Sequence, residues 1–574
     1  MTRTFIFGMD GAAFPLVERW MAEGKLPTLQ KIAERGSFGA LRSSIPPITA
    51  AAWSAFATGK NPGKTGVFDF CQVKRGTYDA YYPSAASLHG ETMWGILSAE
   101  GRKVGVLNVP LTYPPEEVNG FLVGGIGVPD PARDDYFHPP GLRAEIEQAT
   151  GRPYRIGPES EAGKDPYATF IEDALRFQDE RLQVIDHLLD THDPDFFMVV
   201  FGETDTTAHY YWKFMDPSHP AYTPEGAKKF GTAIERAYTK VDATIGRIIE
   251  KVGWNDNYFF VVSDHGMGPF HYVPDYVSYY GAKGLLKLKV PVAKSERAIG
   301  VLIVGYGLWR AARSAFLWGK NALPWGVRNL LNRLFPHGKK FVTTDYSLMN
   351  LLDWEKTKVF FPDPRNAGLL YINRKGREPA GAVTPEAYEP LRDELKRDLE
   401  SLRVPGTDTP VVEGVYRRED VYSGPYLEEA PDLLIVWNND ATGAIQHKLA
   451  TAPDALKKLF KPMDVIPFQA GERMPFSAFH TMRGILLAAG PGIAPGRKVN
   501  AEISQVMPTV LALMKCGIPS DVDGKVIDGL FTPEFQSRLK PEFREPREKG
   551  ALPVYTPEEE AAVKERLRDL GYLD

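Results

Sequence analysis

The chain has 574 residues, of which 43% are hydrophobic and 25% are charged, and its formal net charge is −5. This is the balance of an ordinary globular protein, and it argues against a general nucleic-acid-binding protein, so no stable nucleic-acid complex is expected. The two cysteines, Cys71 and Cys516, are too few for a disulfide scaffold. Because the N-terminus lacks a signal-peptide pattern, we expect a cytoplasmic protein.

The first predicted strand, Thr4 to Met9, is a short apolar run that ends in Asp10-Gly11. Ligand sites in open α/β sheets lie at the carboxyl ends of the strands, so Asp10 is a candidate site residue. A helix cap is the alternative, because aspartate is a favoured N-cap and residues 15–35 have helical apolar spacing.

A threonine, Thr49, follows Pro46-Pro47 at the start of an alanine-rich stretch that is predicted to be helical. A hydroxyl at this position is normally a cap. The position also suits a nucleophile, because a helix N-terminus favours a developing anion and a metal ion can remove the hydroxyl proton. The loop at 59–66 contains a string similar to a P-loop, but neither its spacing nor its place after a helix fits that motif.

Two more buried strands are predicted at Lys103 to Pro110 and at Asp195 to Phe201. The region between them at about 128–170, rich in proline, glycine and charge, is predicted to be an insertion of loops and short helices. Asp205 and His209 follow the second strand and are four residues apart, so on one helical turn they could bind the same ion. An ordinary hydrogen bond on a helix surface is the alternative.

The strand predicted at Tyr258 to Val262 follows an amphipathic helix at Thr232 to Val252 and leads into Asp264 and His265. A carboxylate beside an imidazole suits Zn²⁺, although a turn aspartate next to a hydrogen-bonded histidine is also compatible with this pattern. The alternation of strands and helices predicts an α/β fold with a mostly parallel central sheet and helices on both faces. Residues 1–275 are expected to form the first part of this core.

The segment at 276–350 is predicted to be a helical, basic cap inserted into the core. Between residues 281 and 341 it contains twelve lysines and arginines and one acid, Glu296. Its apolar run from Ala298 to Trp309 is too short to span a bilayer. The favoured interpretation is a cap over the active site. The alternative is an anionic membrane surface as partner, which would make the protein peripheral at the inner membrane face.

Residues 351–530 are predicted to complete the core, and residues 531–574 are predicted to form a helical tail. His480 precedes another buried apolar run, at about Gly484 to Ile493. A lone histidine in such a place is usually packed in the core, but His480 could also provide a further imidazole to a metal site.

Taken together, these motifs resemble the alkaline phosphatase superfamily, and within it the type I phosphodiesterase/nucleotide pyrophosphatase branch. Relatives in that branch often carry an asparagine shortly after the equivalent of Gly66. This chain has Gly66, but no asparagine follows it in that region. The motifs that carry the resemblance are, in chain order, Asp10-Gly11, Pro46-Pro47-x-Thr49, Thr58-Gly59-x-x-Pro62-x-x-x-Gly66, Asp205-x-x-x-His209, Ser263-Asp264-His265-Gly266 and His480.

The resemblance implies a metal-dependent phosphohydrolase with a phosphoester substrate, in particular a phosphodiesterase or nucleotide pyrophosphatase. It also implies two divalent metal ions, Zn²⁺ or alternatively Mn²⁺, and a phosphothreonine intermediate on Thr49. The alternatives are a phosphomonoesterase or phosphomutase of the same superfamily, a peripheral membrane protein acting on lipid-linked phosphoesters, and a binding protein without chemistry. The implied ligands are Asp205, His209 and His480 for one ion, and Asp10, Asp264, His265 and the Thr49 oxygen for the other.

Overall fold

The computed structural model describes most of the chain on either side of residues 290–347. The predicted basic cap at 276–350, and the candidate membrane-binding segment 281–341 within it, lie mostly outside the described residues. In the part that is described, none of the helices combines the length and apolar character that a membrane crossing requires. The described residues are 2–158, 165–269, 272–274, 276–289, 348–362, 368–403, 408–438, 460–462, 474 and 476–569.

The strands are numbered here in chain order. They are β1 (Arg3–Met9), β2 (Ser37–Arg42), β3 (Gln72–Val73), β4 (Ala80–Tyr81), β5 (Val104–Val109), β6 (Gly120–Gly124), β7 (Phe137–His138), β8 (Phe196–Phe201), β9 (Asn257–Val262), β10 (Gly266–Pro269), β11 (Tyr272–Pro274), β12 (Val359–Phe360), β13 (Leu369–Ile372), β14 (Val412–Arg417), β15 (Leu433–Trp437), β16 (Phe460–Pro462), β17 (Ala478–Thr481), β18 (Arg483–Ala489), β19 (Arg497–Lys498), β20 (Ala501–Glu502), β21 (Ile518–Pro519) and β22 (Phe543–Arg544).

The α-helices are numbered in the same way, and two short 3-10 turns lie at Leu427–Glu429 and Ile503–Gln505. The helices are α1 (Phe14–Ala22), α2 (Pro27–Arg35), α3 (Thr49–Thr58), α4 (Pro62–Thr65), α5 (Met93–Ala99), α6 (Leu142–Thr150), α7 (Pro166–His192), α8 (Glu203–Met215), α9 (Pro224–Phe230), α10 (Ala233–Val252), α11 (Tyr276–Ala282), α12 (Leu348–Leu351), α13 (Pro385–Glu400), α14 (Arg418–Val421), α15 (Val506–Leu513), α16 (Pro533–Arg538) and α17 (Pro557–Asp569).

The central sheet has the strand order β19-β2-β18-β9-β1-β8-β5-β6-β7, and β20 also pairs with β2. The five neighbouring strands β9, β1, β8, β5 and β6 are all parallel, whereas β18 runs antiparallel between β9 and β2. Every residue of β8 and β9 is buried, as expected for parallel strands that are covered on both faces. The predicted α/β fold with a mostly parallel central sheet is therefore confirmed.

Helices cover both faces of this sheet, and each face has its own hydrophobic cluster. Alternate residues of β1 point to opposite faces, so Phe5 and Phe7 belong to one cluster and Ile6 to the other. The first cluster includes residues of α1, α2, α7, α8 and α10. The second includes residues of α3, α5 and α15. The carboxyl ends of the parallel strands are thereby fixed between two layers of helices.

A second sheet, β12-β13-β15-β14, is antiparallel and has a hydrophobic cluster of its own. We call it the antiparallel sheet. At its centre Asp432 is fully buried and accepts two hydrogen bonds from the guanidinium of Arg377, at 2.7 and 2.8 Å, and one from the Ile372 amide at 2.6 Å. Burial alone would raise the pKa of Asp432, but the charges of Arg75 and Arg377 hold the pKa well below its usual range.

Asp432→Asn is expected to lower the free energy of unfolding at pH 7 by about 3–5 kcal/mol, because it breaks the buried ion pair with Arg377, whose guanidinium then keeps its bond to Glu378 at 2.8 Å. Since the pKa of Asp432 is lower in the folded state than in the unfolded state, the stabilisation is present above about pH 4 and is lost as the pH falls below it. Urea unfolding at pH 7 and pH 3 tests this, and the difference between wild type and variant should shrink at pH 3. Asp393→Asn, which disrupts the partly exposed pair with Arg417, is the control and should have a much smaller effect.

Candidate metal centre

Acidic and imidazole side chains follow the carboxyl ends of three adjacent parallel strands of the central sheet. Asp10 directly follows β1, and Asp264 and His265 follow β9. Asp205 and His209 lie on α8, which begins two residues after β8 ends, so the predicted single helical turn is present. Because β9, β1 and β8 are parallel neighbours, their carboxyl ends bring these five side chains together.

Thr49 and His480 reach the same place from other parts of the chain. Thr49 is the first residue of α3, and its Oγ1 lies 3.1 Å from Nε2 of His265. His480 is on β17, which pairs with β10 so that His480 stands opposite Met267, two residues after His265. All seven candidate residues, referred to below as the candidate centre, are buried, with at most 6% of any residue exposed.

The distances divide the candidate centre into two overlapping groups. In one, Nε2 of His209 lies 3.1 Å from Nε2 of His480, and Oδ1 of Asp205 lies 3.3 and 3.5 Å from these two nitrogens. In the other, Nε2 of His265 lies 3.1 Å from Oδ2 of Asp264 and 3.6 Å from Oδ1 of Asp10. Ligand atoms of His265 also lie within 4.8 Å of those of Asp205 and His480, so His265 stands between the two groups.

Each of the three imidazoles has its Nδ1 fixed by a backbone carbonyl. A carbonyl can only accept, so Nδ1 carries a hydrogen, and in the neutral ring Nε2 keeps its lone pair. As neutral rings, His209 and His480 therefore place two acceptor nitrogens 3.1 Å apart, which cannot hydrogen-bond to each other. A cation between them would remove this repulsion, and such outer hydrogen bonds are the usual way of orienting metal-binding histidines. The carbonyls belong to Ala478 for His209, Gly266 for His265 and Pro47 for His480, at 2.7, 3.0 and 3.0 Å.

The carboxylates of the candidate centre concentrate negative charge in a buried place. Burial, followed by the charges of Asp264 and Asp205, raises the pKa of Asp10 well above its usual range. Among the described residues, no hydrogen-bond donor reaches Oδ1 of Asp10 or Oδ2 of Asp264. Burial and the neighbouring His265 lower the pKa of His480 to about 4, so this imidazole is neutral at pH 7, as a metal ligand must be. Buried carboxylate oxygens without donors beside imidazole nitrogens fit divalent cations such as Zn²⁺ or Mn²⁺.

Thr49 occupies a position that suits an attacking oxygen. Its Oγ1 is within hydrogen-bond distance of Nε2 of His265, and in the neutral ring that nitrogen accepts the hydroxyl hydrogen. Within the described chain, no side chain caps the N-terminus of α3, where Thr49 lies. The helix dipole therefore favours negative charge beside Thr49.

Sequence reasoning missed several residues that orient the ligands. The Trp53 indole donates to Oδ2 of Asp10 at 2.9 Å, and the Thr204 hydroxyl donates to the Asp10 carbonyl at 2.6 Å. Gly8 makes room for the indole, because a Cβ at this position would lie 2.6 Å from a Trp53 ring carbon. Gly8 could have indicated this contact in the sequence, because a glycine inside an otherwise apolar strand often marks the close approach of another element.

The loop after Gly66, where an asparagine is absent, is organised by Gln72. Its side-chain oxygen accepts hydrogen bonds from the backbone amides of Phe68 and Asp69, and its side-chain amide donates to the Gly66 carbonyl at 3.1 Å. Asp69 itself is buried, and its Oδ1 accepts a hydrogen bond from the Phe70 amide at 2.6 Å. The carboxylate of Asp69 therefore stands in the region where relatives often carry a neutral amide.

Comparison with known proteins identifies one family. The family model described as type I phosphodiesterase/nucleotide pyrophosphatase matches residues 4–318, which include six of the seven candidate residues, all except His480. No curated protein matches the chain in sequence.

Similar solved structures are known at low sequence identity. Phosphonoacetate hydrolase from Sinorhizobium meliloti 1021, in complex with phosphonoformate, is 13% identical with a TM-score of 0.49, covering 88% of this chain and 94% of its own. Human ectonucleotide pyrophosphatase/phosphodiesterase 5 is 12% identical with a TM-score of 0.43, covering 91% of this chain and 97% of its own.

Proposed function

Because this chain belongs to the type I phosphodiesterase/nucleotide pyrophosphatase family, we propose that it cleaves phosphodiester or pyrophosphate bonds at a two-metal site with Thr49 as the nucleophile. Family membership makes it a phosphoester hydrolase, and the proposal adds the type of bond, the metals and the attacking atom. The observation that carries it is the single hydroxyl of Thr49, held 3.1 Å from His265 at the junction of two groups of buried ligands.

The residues of the candidate centre would have two roles, to bind the cations and to supply the oxygen that attacks phosphorus. Divalent cations, when bound, would supply Lewis acidity towards the attacking and the leaving oxygen. The residues that would hold them are Asp205, His209 and His480 for one cation, and Asp10, Asp264 and His265, together with the Thr49 oxygen, for the other.

Thr49 does the covalent part of the reaction. Its Oγ1 would bond to phosphorus as the bond from phosphorus to the leaving oxygen breaks, giving a phosphothreonine, and the hydroxyl proton would leave with the departing alcohol or phosphate ester. The oxygen of a water molecule would then bond to phosphorus as the Oγ1–phosphorus bond breaks, releasing the phosphoryl group as a phosphate monoester and returning a proton to Oγ1. The N-terminus of α3 would stabilise the negative charge beside Thr49 in both steps.

The surrounding residues keep this geometry fixed before the substrate arrives. Asp10 is oriented by Trp53, and the Gly11 amide donates to Oδ1 of Asp264 at 3.2 Å. The Ala12 amide donates to the Ser263 hydroxyl at 2.8 Å, which ties the loop after β1 to the end of β9. Such preorganisation lowers the cost of reaching the transition state, because little needs to move during the reaction.

A substrate panel tests the proposal. The purified protein is assayed with bis-p-nitrophenyl phosphate, p-nitrophenyl phosphate and nucleotide esters, together with metal analysis of the same sample. We expect a higher kcat/KM for the diester than for the monoester, and about two divalent ions per chain. A preference for the monoester would favour the phosphomonoesterase or phosphomutase alternative. Purified protein that turns over no ester and retains no metal would favour a binding protein without chemistry.

A further inference from the structure

One loop of the antiparallel sheet contacts both ends of the segment that carries Thr49. At the near end, the Tyr422 hydroxyl donates a hydrogen bond to the backbone carbonyl of Ile45. At the far end, the Ser423 amide donates to the Asn61 side chain at 3.2 Å, and the Tyr426 amide donates to the Gly63 carbonyl at 2.9 Å. The nucleophile-bearing segment is therefore held between two attachment points that lie more than 350 residues later in the chain.

The turn beside Ile45 connects directly to the candidate centre. The Ser44 hydroxyl and the Ile48 amide both donate to the Pro46 carbonyl at 2.9 Å. The next carbonyl, that of Pro47, accepts the Nδ1 hydrogen of His480 at 3.0 Å. The position of this turn consequently determines two things at once: where α3 begins with Thr49, and how the His480 ring is oriented.

Several contacts hold Tyr422 in place. A residue can determine the position of its neighbours only if its own position is fixed. It is 5% exposed, and its amide donates to the Arg418 carbonyl at 2.8 Å. Its ring packs against Phe68 with ring centroids 5.8 Å apart. Arg418 is also buried, and its guanidinium donates to the Glu428 carbonyl at 3.0 Å. The hydroxyl therefore presents a donor whose place is set by the packing of the antiparallel sheet.

We propose that Tyr422 is a positioning residue, whose hydroxyl fixes the Ile45–Pro47 turn so that the Thr49 oxygen and the His480 imidazole converge. A small shift of this turn would move the attacking oxygen and one metal ligand together. Rate is sensitive to such shifts, because misplacement by about 1 Å can cost about 100-fold. The kinetic part of this inference rests on the whole proposed function, whereas the part about His480 and metal affinity rests only on its metal site.

Tyr422→Phe tests the inference, because it keeps the ring and removes only the hydroxyl. We expect kcat to fall by about 10- to 100-fold and KM to change much less, with metal affinity about tenfold weaker in a chelator competition without substrate. The matched control is Tyr388→Phe, which removes the hydroxyl of a buried tyrosine that bonds to Asp432 within the antiparallel sheet. This control should lower the unfolding midpoint while leaving kcat and metal affinity near the wild-type values.

Ser44→Ala provides a second test if Tyr422→Phe does not fold, because it removes a different hydrogen bond to the same turn and should produce the same pair of changes. Wild-type kcat and metal affinity in the folded variants would overturn the inference, as would equal losses in Tyr388→Phe. If the wild type binds metal but hydrolyses no phosphodiester, the proposed function is wrong. The metal competition still decides the role of Tyr422 in that case.

Discussion

Thr49→Ala is expected to lower phosphodiester turnover by about 10⁴-fold or more, which is the scale of loss when a covalent nucleophile is removed. The metal content should remain close to that of the wild type, because six other side chains would still hold the ions. The measurements are steady-state kinetics with bis-p-nitrophenyl phosphate and metal analysis of the same preparation. Quenched reactions analysed by intact mass should contain a phosphorylated wild-type chain and an unmodified variant chain.

Thr58→Ala is the matched control for this substitution. Thr58 is the last residue of α3, is also fully buried, and donates its hydroxyl hydrogen to the Ser54 carbonyl at 2.8 Å. The same atoms are removed from the same helix, at the end away from His265, so turnover should stay near the wild-type value. Retained turnover in Thr49→Ala would reject the mechanism. An equal loss in Thr58→Ala would mean that the helix, and not the nucleophile, is the cause.

Asp205→Asn is expected to have the second largest effect, with turnover falling by about 10³-fold, because a metal ion supplies several kcal/mol of charge stabilisation. The variant keeps the shape of the side chain but loses the negative charge that lies 3.3 and 3.5 Å from the Nε2 atoms of His209 and His480. We therefore expect it to bind metal more weakly, and high metal concentration should restore part of the activity. Activity as a function of added Zn²⁺ or Mn²⁺ provides the measurement.

Glu203→Gln is the control for Asp205→Asn. Glu203 begins the same helix, is 3% exposed, and accepts a hydrogen bond from the Gln178 side chain, which is not part of the candidate centre. Burial raises the pKa of Glu203 to about 7, so the group is about half protonated at pH 7 and its neutralisation removes only about half a charge. Its activity and metal dependence should match the wild type. Wild-type metal affinity in Asp205→Asn would remove this carboxylate from the ligand set.

The strands that are buried on both faces could be predicted from the sequence because their signal is local. β8 and β9 are continuous apolar runs, and each ends in polar residues at the edge where the candidate centre lies. The strand order could not be predicted, because pairing depends on contacts between distant parts of the chain. In particular, β18 lies between β9 and β2 and runs antiparallel to both, although its sequence is as apolar as that of a parallel strand.

The residues of the candidate centre that could be predicted from the sequence are those that stand next to each other or one helical turn apart. Asp205 and His209 are separated by one helical turn, and Asp264 and His265 are adjacent at a strand end, so both pairs are visible in the sequence. His480 is isolated in sequence and becomes meaningful only through the pairing of β17 with β10. No pattern in the sequence indicates the proposed role of Tyr422, because that role depends on its hydrogen bond to the Ile45 carbonyl, 377 residues earlier in the chain.

The late arrival of β18 in the middle of the central sheet has a consequence for biosynthesis. When β9 leaves the ribosome, the strand that will cover its free edge lies more than 200 residues further along the nascent chain. At about 5–20 residues per second, that edge stays open for roughly 10–50 seconds. Open strand edges are templates for aggregation, so the unfinished protein exposes such an edge until β17 and β18 emerge. His480 arrives with the same pair of strands, so the seven residues of the candidate centre can assemble only after β17 and β18 have joined the fold.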